Sequence, residues 1–145
     1  ITGAYIYNKM GLTEQVATTI TIATPNPVRR FRFKNLDIEC VKAYCMVYPD
    51  ESLVPYLRLL DAIKDMKRIP GTTGQDIYNR VKSQYFNGYS LPELEKIVSL
   101  AKSYPPRVRK VVADILGDIR QTVLQTEMAK TILPTTRFNL DYKTA

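Results

Sequence analysis

Three cations at the predicted start of a helix have the clearest potential chemistry in this sequence. Pro105 and Pro106 end the preceding helix because proline lacks an amide hydrogen, and Pro106 suits the first turn of a new helix. Arg107, Arg109 and Lys110, the helix-start cluster, then lie at the positive end of the helix dipole, where anions are normally favoured. The arrangement predicts an opposing anion, either an acidic side chain of this chain or a partner's group such as a phosphate. A solvated basic corner is the third possibility.

Six further cations complete the set of candidate binding residues. The chain carries 21 Lys and Arg against 14 Asp and Glu, and this net charge of +7 favours nucleic acid or an acidic protein as partner. The six residues are Arg29, Arg30, Lys64, Lys67, Arg68 and Arg137. We predict that they and the helix-start cluster bind nucleic acid or an acidic partner.

Several residue types that common enzymes require are missing. The chain has no histidine, which excludes Ser-His-Asp and Cys-His nucleophilic sites and zinc sites built from His and Cys. Its six glycines are scattered and form no phosphate loop. A metal-dependent nuclease needs a Glu-x-Lys on the strand after Pro49-Asp50, and none follows, while Lys42 stands at the wrong spacing from Glu39. We predict no enzyme activity, catalytic residue, metal or cofactor; a metal-dependent nuclease-like domain and a general nucleic-acid-binding module are the alternatives.

The cysteines and the hydropathy of the chain bear on where it works. Cys40 and Cys45 make a poor disulfide framework and are better explained as reduced thiols. No apolar run approaches the ~20 residues that a membrane-spanning helix needs. We therefore predict a cytoplasmic protein without a membrane partner.

The order of residue patterns predicts an α+β fold in a single domain over residues 1–145. Residues 1–48 are rich in β-branched and alternating segments, whereas 49–145 show helical periodicity. We expect a short helix over 2–10, then a small antiparallel sheet at about 16–44, packed on a bundle of about four helices.

A hairpin in the first third is predicted from charge and apolar pairing. With Asn35 and Leu36 as its two loop residues, opposite charges meet on one face and apolar groups on the other, as in a half-buried ribbon. The predicted pairs are Lys34 with Asp37, Arg32 with Glu39, Arg30 with Val41, Phe33 with Ile38 and Phe31 with Cys40. The basic, aromatic-interleaved string 29–34 is also typical of a nucleic-acid-binding strand. The pairing favours a structural role and leaves only Arg29 and Arg30 free.

The helical part is predicted from apolar stripes, caps and prolines. Helices are expected over 53–66, over 74–86, from a capping box of Ser90 and Glu93, and from Pro106 with an apolar stripe that reaches Val123. The alternating tail after Pro134 predicts an edge strand.

Several segments together resemble one family in the same order along the chain. They are Asn8–Thr13 with Gln15 and Val16, the basic strand Val28–Phe33, the helix Leu59–Pro70, the helix start Tyr104–Arg109, and the ending Leu133-Pro134-x-x-Arg137-Phe138-Asn139-Leu140. The sequence is similar in these segments to the AbiEi-like antitoxins and transcriptional regulators of type IV toxin–antitoxin (abortive infection) systems.

The resemblance implies a function for the chain as part of a larger regulator. Family members carry an N-terminal winged helix-turn-helix before this region, so we expect Ile1 to follow such a DNA-binding domain. The winged helix would bind promoter DNA, and this C-terminal domain would assist it and counter a nucleotidyltransferase-like toxin. The expected partners are therefore the cognate toxin and, mainly through the missing domain, DNA. The resemblance assigns no catalytic residue.

Overall fold

A computed structural model describes residues 1–25, 29–34, 36–44 and 50–145. Within them three strands and six α-helices form an α+β fold, which confirms the predicted class with more helices than the predicted four. The strands are β1 (Thr19–Thr24), β2 (Arg29–Phe33) and β3 (Leu36–Lys42), and the helices are α1 (Ala4–Lys9), α2 (Val54–Asp65), α3 (Gly74–Gln84), α4 (Leu91–Ala101), α5 (Pro106–Asp118) and α6 (Thr122–Ala129). In this part of the chain no helix is long and apolar enough to cross a membrane.

Local sequence signals place the helix starts where they were predicted. The Ser90 side chain accepts a hydrogen bond from the Glu93 N–H while the Glu93 carboxylate accepts one from the Ser90 N–H, so the predicted capping box opens α4. Pro106 is the first residue of α5, as expected for a residue without an amide hydrogen.

The break between α5 and α6 differs from the prediction, in which one apolar stripe continued to Val123. Arg120 has a left-handed backbone (φ +63°), and its N–H bonds to the Gly117 carbonyl. The Gln121 N–H reaches back to the Leu116 carbonyl at 2.8 Å, which completes a Schellman helix end. Val123 therefore lies on α6, 80% exposed, instead of in the core.

The hydrophobic core lies among the helices. Its fully buried side chains include Leu59, Leu60, Ile77, Ile97 and Ile115, which come from α2, α3, α4 and α5. Among the described strand residues only Cys40, a free thiol, is buried, and it lies outside this core cluster. The helices thus carry most of the apolar burial that stabilises the fold.

The sheet is mixed, where a purely antiparallel one was predicted. Its order is β1-β3-β2, with β1 parallel and β2 antiparallel to the central strand β3. All five residues of β2 are exposed, so the predicted half-buried ribbon is also wrong. A strand with three arginines suits the solvated edge of a sheet, which leaves the central place to β3. The first strand begins at Thr19, later than the predicted boundary at 16.

The hairpin register is shifted by two residues from the predicted one. Lys34 takes a turn conformation with φ +48°, so β2 ends at Phe33, which pairs with Leu36 as the first residue of β3. Arg32 consequently faces Asp37, with 3.8 Å between Nε and Oδ1, in place of Glu39. A shift by two residues leaves every side chain on the same face of the sheet. Charged residues therefore still pair with charged residues, and apolar residues with apolar ones. Asn35, predicted in the loop, lies outside the described residues, as do Cys45 and Pro49.

Buried and partly buried tyrosine–carboxylate hydrogen bonds connect segments that are distant in sequence. In each pair the tyrosine O–H donates to an aspartate, and the partners are 28 to 58 residues apart in sequence. The pairs are Tyr7 with Asp65 (2.6 Å), Tyr78 with Asp118 (2.7 Å), Tyr104 with Asp61 (2.8 Å) and Tyr142 with Asp114 (2.7 Å). Such bonds add a donor to carboxylates that also have another partner within the chain, such as Thr2 for Asp61 and Lys110 for Asp114.

The C-terminal tail, residues 130–145, crosses the helices as irregular chain, and the predicted edge strand after Pro134 does not form. The Tyr142 ring stacks on Tyr78 with 4.3 Å between centroids and 9° between planes. Gly74 makes room for the tail, because a Cβ there would lie 2.0 Å from Asp141 Oδ2. The tail is thus part of the packed structure.

Asp61 gives the fold a specific pH dependence. Burial raises the pKa of its carboxyl above the usual 3.8, although hydrogen bonds from Thr2 and Tyr104 act in the opposite direction. Because the pKa is higher in the folded state, the carboxyl contributes fully to stability when the pH is below its pKa in the unfolded state. That contribution is lost as the pH rises through its pKa in the folded state. The side chain of the Asp61→Asn variant cannot ionise. We therefore expect the substitution to lower the free energy of unfolding less at pH 7 than at pH 4. Urea denaturation at both values tests this, and a loss that grows with pH would contradict it.

Candidate site: a basic groove between the sheet and helices α2 and α5

An open groove of about 790 Å³ lies between the sheet and the helical part. Its walls are β1 and β3, the segment 15–18, the end of α2 with the residues that follow it, and the start of α5. Thr19, Thr21 and Glu39 face it, because alternate residues of a strand point to the same side. The groove thus combines strand hydroxyls with side chains from two helices.

Cations outnumber carboxylates in this groove. Four cations (Lys42, Lys64, Arg68 and Arg107) and two carboxylates (Glu39 and Asp65) line it, an excess of two positive charges. Clefts lined by one sign of charge concentrate ligands of the opposite sign. The groove is therefore suited to an anionic partner.

One aromatic ring, that of Tyr44, lies against two of the groove's lysines. The ammonium of Lys42 lies 5.1 Å and that of Lys64 5.5 Å from the centre of the Tyr44 ring. Tyr44 itself stacks on Tyr104 at 5.6 Å, which connects it to the helical core. The Lys64 ammonium also lies 3.7 Å from Oδ1 of Asp65, and Oδ2 of Asp65 accepts a hydrogen bond from the Tyr7 hydroxyl. These contacts position the ammonium groups before a partner arrives.

Arg68 is the most available cation of the groove. It follows α2 in a turn closed by a hydrogen bond from its N–H to the Asp65 carbonyl (2.7 Å). The residue is exposed, and within the described residues its guanidinium makes no ion pair. An exposed guanidinium can bind a carboxylate or phosphate with two parallel hydrogen bonds.

The helix-start cluster has partners within the chain. Arg107 Nη2 lies 3.1 Å from Asp141 and Lys110 Nζ 2.9 Å from Asp114, so acidic side chains supply the opposing charge for both. Arg109 donates to the backbone carbonyls of Tyr104 and Thr131. Only Arg107 of this cluster reaches the groove, and its buried Nε has no hydrogen-bond partner among the described residues.

The remaining predicted cations lie elsewhere. Arg29 lies over the Phe31 ring at 4.8 Å, and Arg30 pairs across the sheet with Glu39. The Lys67 ammonium donates to the Asn139 carbonyl, and Arg137 is exposed on the tail. The groove therefore unites three of the nine predicted residues, Lys64, Arg68 and Arg107. Sequence reasoning missed Lys42, because its place in the groove depends on the parallel pairing of β1 with β3.

Segments on which the family resemblance rests meet at this groove. Gln15 and Val16, five residues within 64–70 and three within 105–108 come from three separate motifs and line it. A fourth motif, in the C-terminal tail, contacts the Leu59–Pro70 motif through the hydrogen bond from Lys67 to the Asn139 carbonyl. The short motifs are thus neighbours in space.

Comparison with known proteins adds no assignment. No known family model, curated protein or solved structure matches the chain. Within the described residues no group of three or more Cys, Asp or Glu side chains is placed to hold a metal ion.

Proposed function

We propose that this chain is the partner-binding domain of an AbiEi-like regulator and that it counters a nucleotidyltransferase-like toxin. It would act in the cytoplasm as a binding domain without enzymatic activity, and the basic groove would contact an acidic surface of the toxin. DNA binding would depend mainly on a winged helix, to which this domain adds non-specific phosphate contacts.

The convergence of the family-like motifs on one groove carries this proposal. Residues 15–16, 64–70 and 105–108 are far apart in sequence, and three separate motifs have no need to share a surface if each serves only local structure. The groove's excess of positive charge and the exposed guanidinium of Arg68 support a charged partner.

A co-expression assay tests the proposal. The proposal requires a nucleotidyltransferase-like toxin encoded beside this gene; that toxin is expected to arrest growth when expressed alone, and the proposed full regulator with this domain is expected to restore growth. A regulator reduced to its DNA-binding domain is the control and should still bind the promoter without restoring growth. Restoration by that control would refute the assignment of toxin neutralisation to this chain.

A further inference from the structure

The two faces of the sheet carry different kinds of side chain. Pairing places Asp37 and Glu39 on the face that borders the groove, together with Arg30 and Arg32. The opposite face carries the apolar side chains Ile20, Ile22, Phe31, Phe33, Leu36, Ile38 and Cys40, with Arg29 at its end. None of the strand residues on this second face, the aromatic face, is acidic.

Two phenylalanines on the aromatic face are open to solvent. Phe31 is 39% and Phe33 55% exposed, and Leu36 beside them is 49% exposed. Phenylalanines two residues apart on a strand lie roughly 6.5–7 Å from each other on the same side. Neighbouring exposed apolar side chains of this kind are typical of interaction surfaces.

A cation accompanies each exposed ring. The Arg29 guanidinium lies 4.8 Å from the centre of the Phe31 ring, and the Lys34 ammonium lies 5.4 Å from that of Phe33. Each ring therefore has a positive charge within reach of a group stacked on it. Aromatic rings with adjacent cations are the elements that single-stranded nucleic acids bind, because bases stack on the rings while phosphates meet the cations.

We propose that the aromatic face of β2 and β3 is a binding site for single-stranded nucleic acid, with bases stacked on Phe31 and Phe33. A duplex hides its bases in its own stack, so the rings select unpaired strands. Arg29 and Lys34 supply phosphate contacts without the competing carboxylates that lie on the groove face. This site is independent of the groove and of the proposed toxin partner.

Binding of a fluorescein-labelled 15-nucleotide oligo(dT) to the full chain, followed by fluorescence anisotropy at low salt, tests the proposal. Phe31→Leu with Phe33→Leu keeps apolar side chains on an exposed strand but removes the rings, and we expect at least a tenfold loss of affinity. The matched control is Tyr5→Leu, which removes a ring with Lys9 at 5.0 Å on α1 and should leave affinity unchanged. A duplex of the same length should compete at least tenfold less well.

A second measurement does not depend on the folding of the variant. Photocrosslinking of a 5-iododeoxyuridine oligonucleotide to the wild-type chain should map to β2 by mass spectrometry. Unchanged affinity in the double variant, crosslinks confined to other segments, or preference for the duplex would each overturn the proposal. Failure to bind oligo(dT), with self-association that the double variant abolishes, would overturn it in favour of a protein-binding face.

Discussion

Replacing Tyr142 with alanine is expected to lower the free energy of unfolding by about 3–5 kcal/mol, as for other large-to-small changes at buried aromatic positions. Tyr142 is 6% exposed, stacks on Tyr78 and donates to Asp114, so alanine leaves both a cavity and a buried carboxylate with one fewer donor. Urea denaturation followed by circular dichroism measures the change.

Tyr142→Phe separates packing from hydrogen bonding in this prediction. It keeps the ring and removes only the O–H, and we expect a loss of about 1 kcal/mol, since Lys110 still pairs with Asp114. If Tyr142→Ala costs no more than Tyr142→Phe, the stacked tail does not contribute to the stability of the helical core.

Reversing two charges in the groove is expected to abolish the toxin neutralisation that we propose for this chain. Lys64→Glu with Arg68→Glu changes the groove from four cations and two carboxylates to two cations and four carboxylates. An acidic partner surface would then meet like charge, and we expect its affinity to fall by about a hundredfold. Growth in the co-expression assay, together with the affinity of the purified regulator for the toxin, measures the effect.

A control with the same change in net charge keeps this result specific. Lys96→Glu with Lys130→Glu reverses two exposed cations on α4 and after α6, outside the lining of the groove. We expect this variant to neutralise the toxin like wild type. Equal loss in both double variants would mean that net charge, and not the groove, carries the interaction.

Local signals in the sequence predict the helices well. The Ser90–Glu93 box and Pro106 act within one turn of the helix that they start, so no distant residue can override them easily. The end of α5 was missed because the left-handed residue of its Schellman motif is Arg120, where glycine is the usual signal.

The sheet was less predictable because its pairing is not local. Residues 20 and 22 alternate as a strand must, but nothing in them specifies a parallel partner at Ile38 and Cys40. The predicted hairpin register was wrong for a related reason. A register shifted by two residues pairs charges and apolar groups as well as the predicted register does.

The candidate site depends on both kinds of information. Lys64, Arg68 and Arg107 were predicted as binding residues from charge and position, whereas the groove that unites them exists only once β1 and β3 are paired. Charge alone also placed Arg109 and Lys110 in the set, although their contacts are with the chain itself.

The separation of the sheet from the helical core links ligand binding to partial unfolding. Among the described strand residues only Cys40 is buried, so we expect the sheet to open as a sub-global unit while the helices stay folded. A partner in the groove touches both units at once and therefore adds its binding free energy to the cost of that opening. Dissociation of the partner and opening of the sheet are then linked equilibria, and a protease that cleaves the open state would degrade the unbound form first.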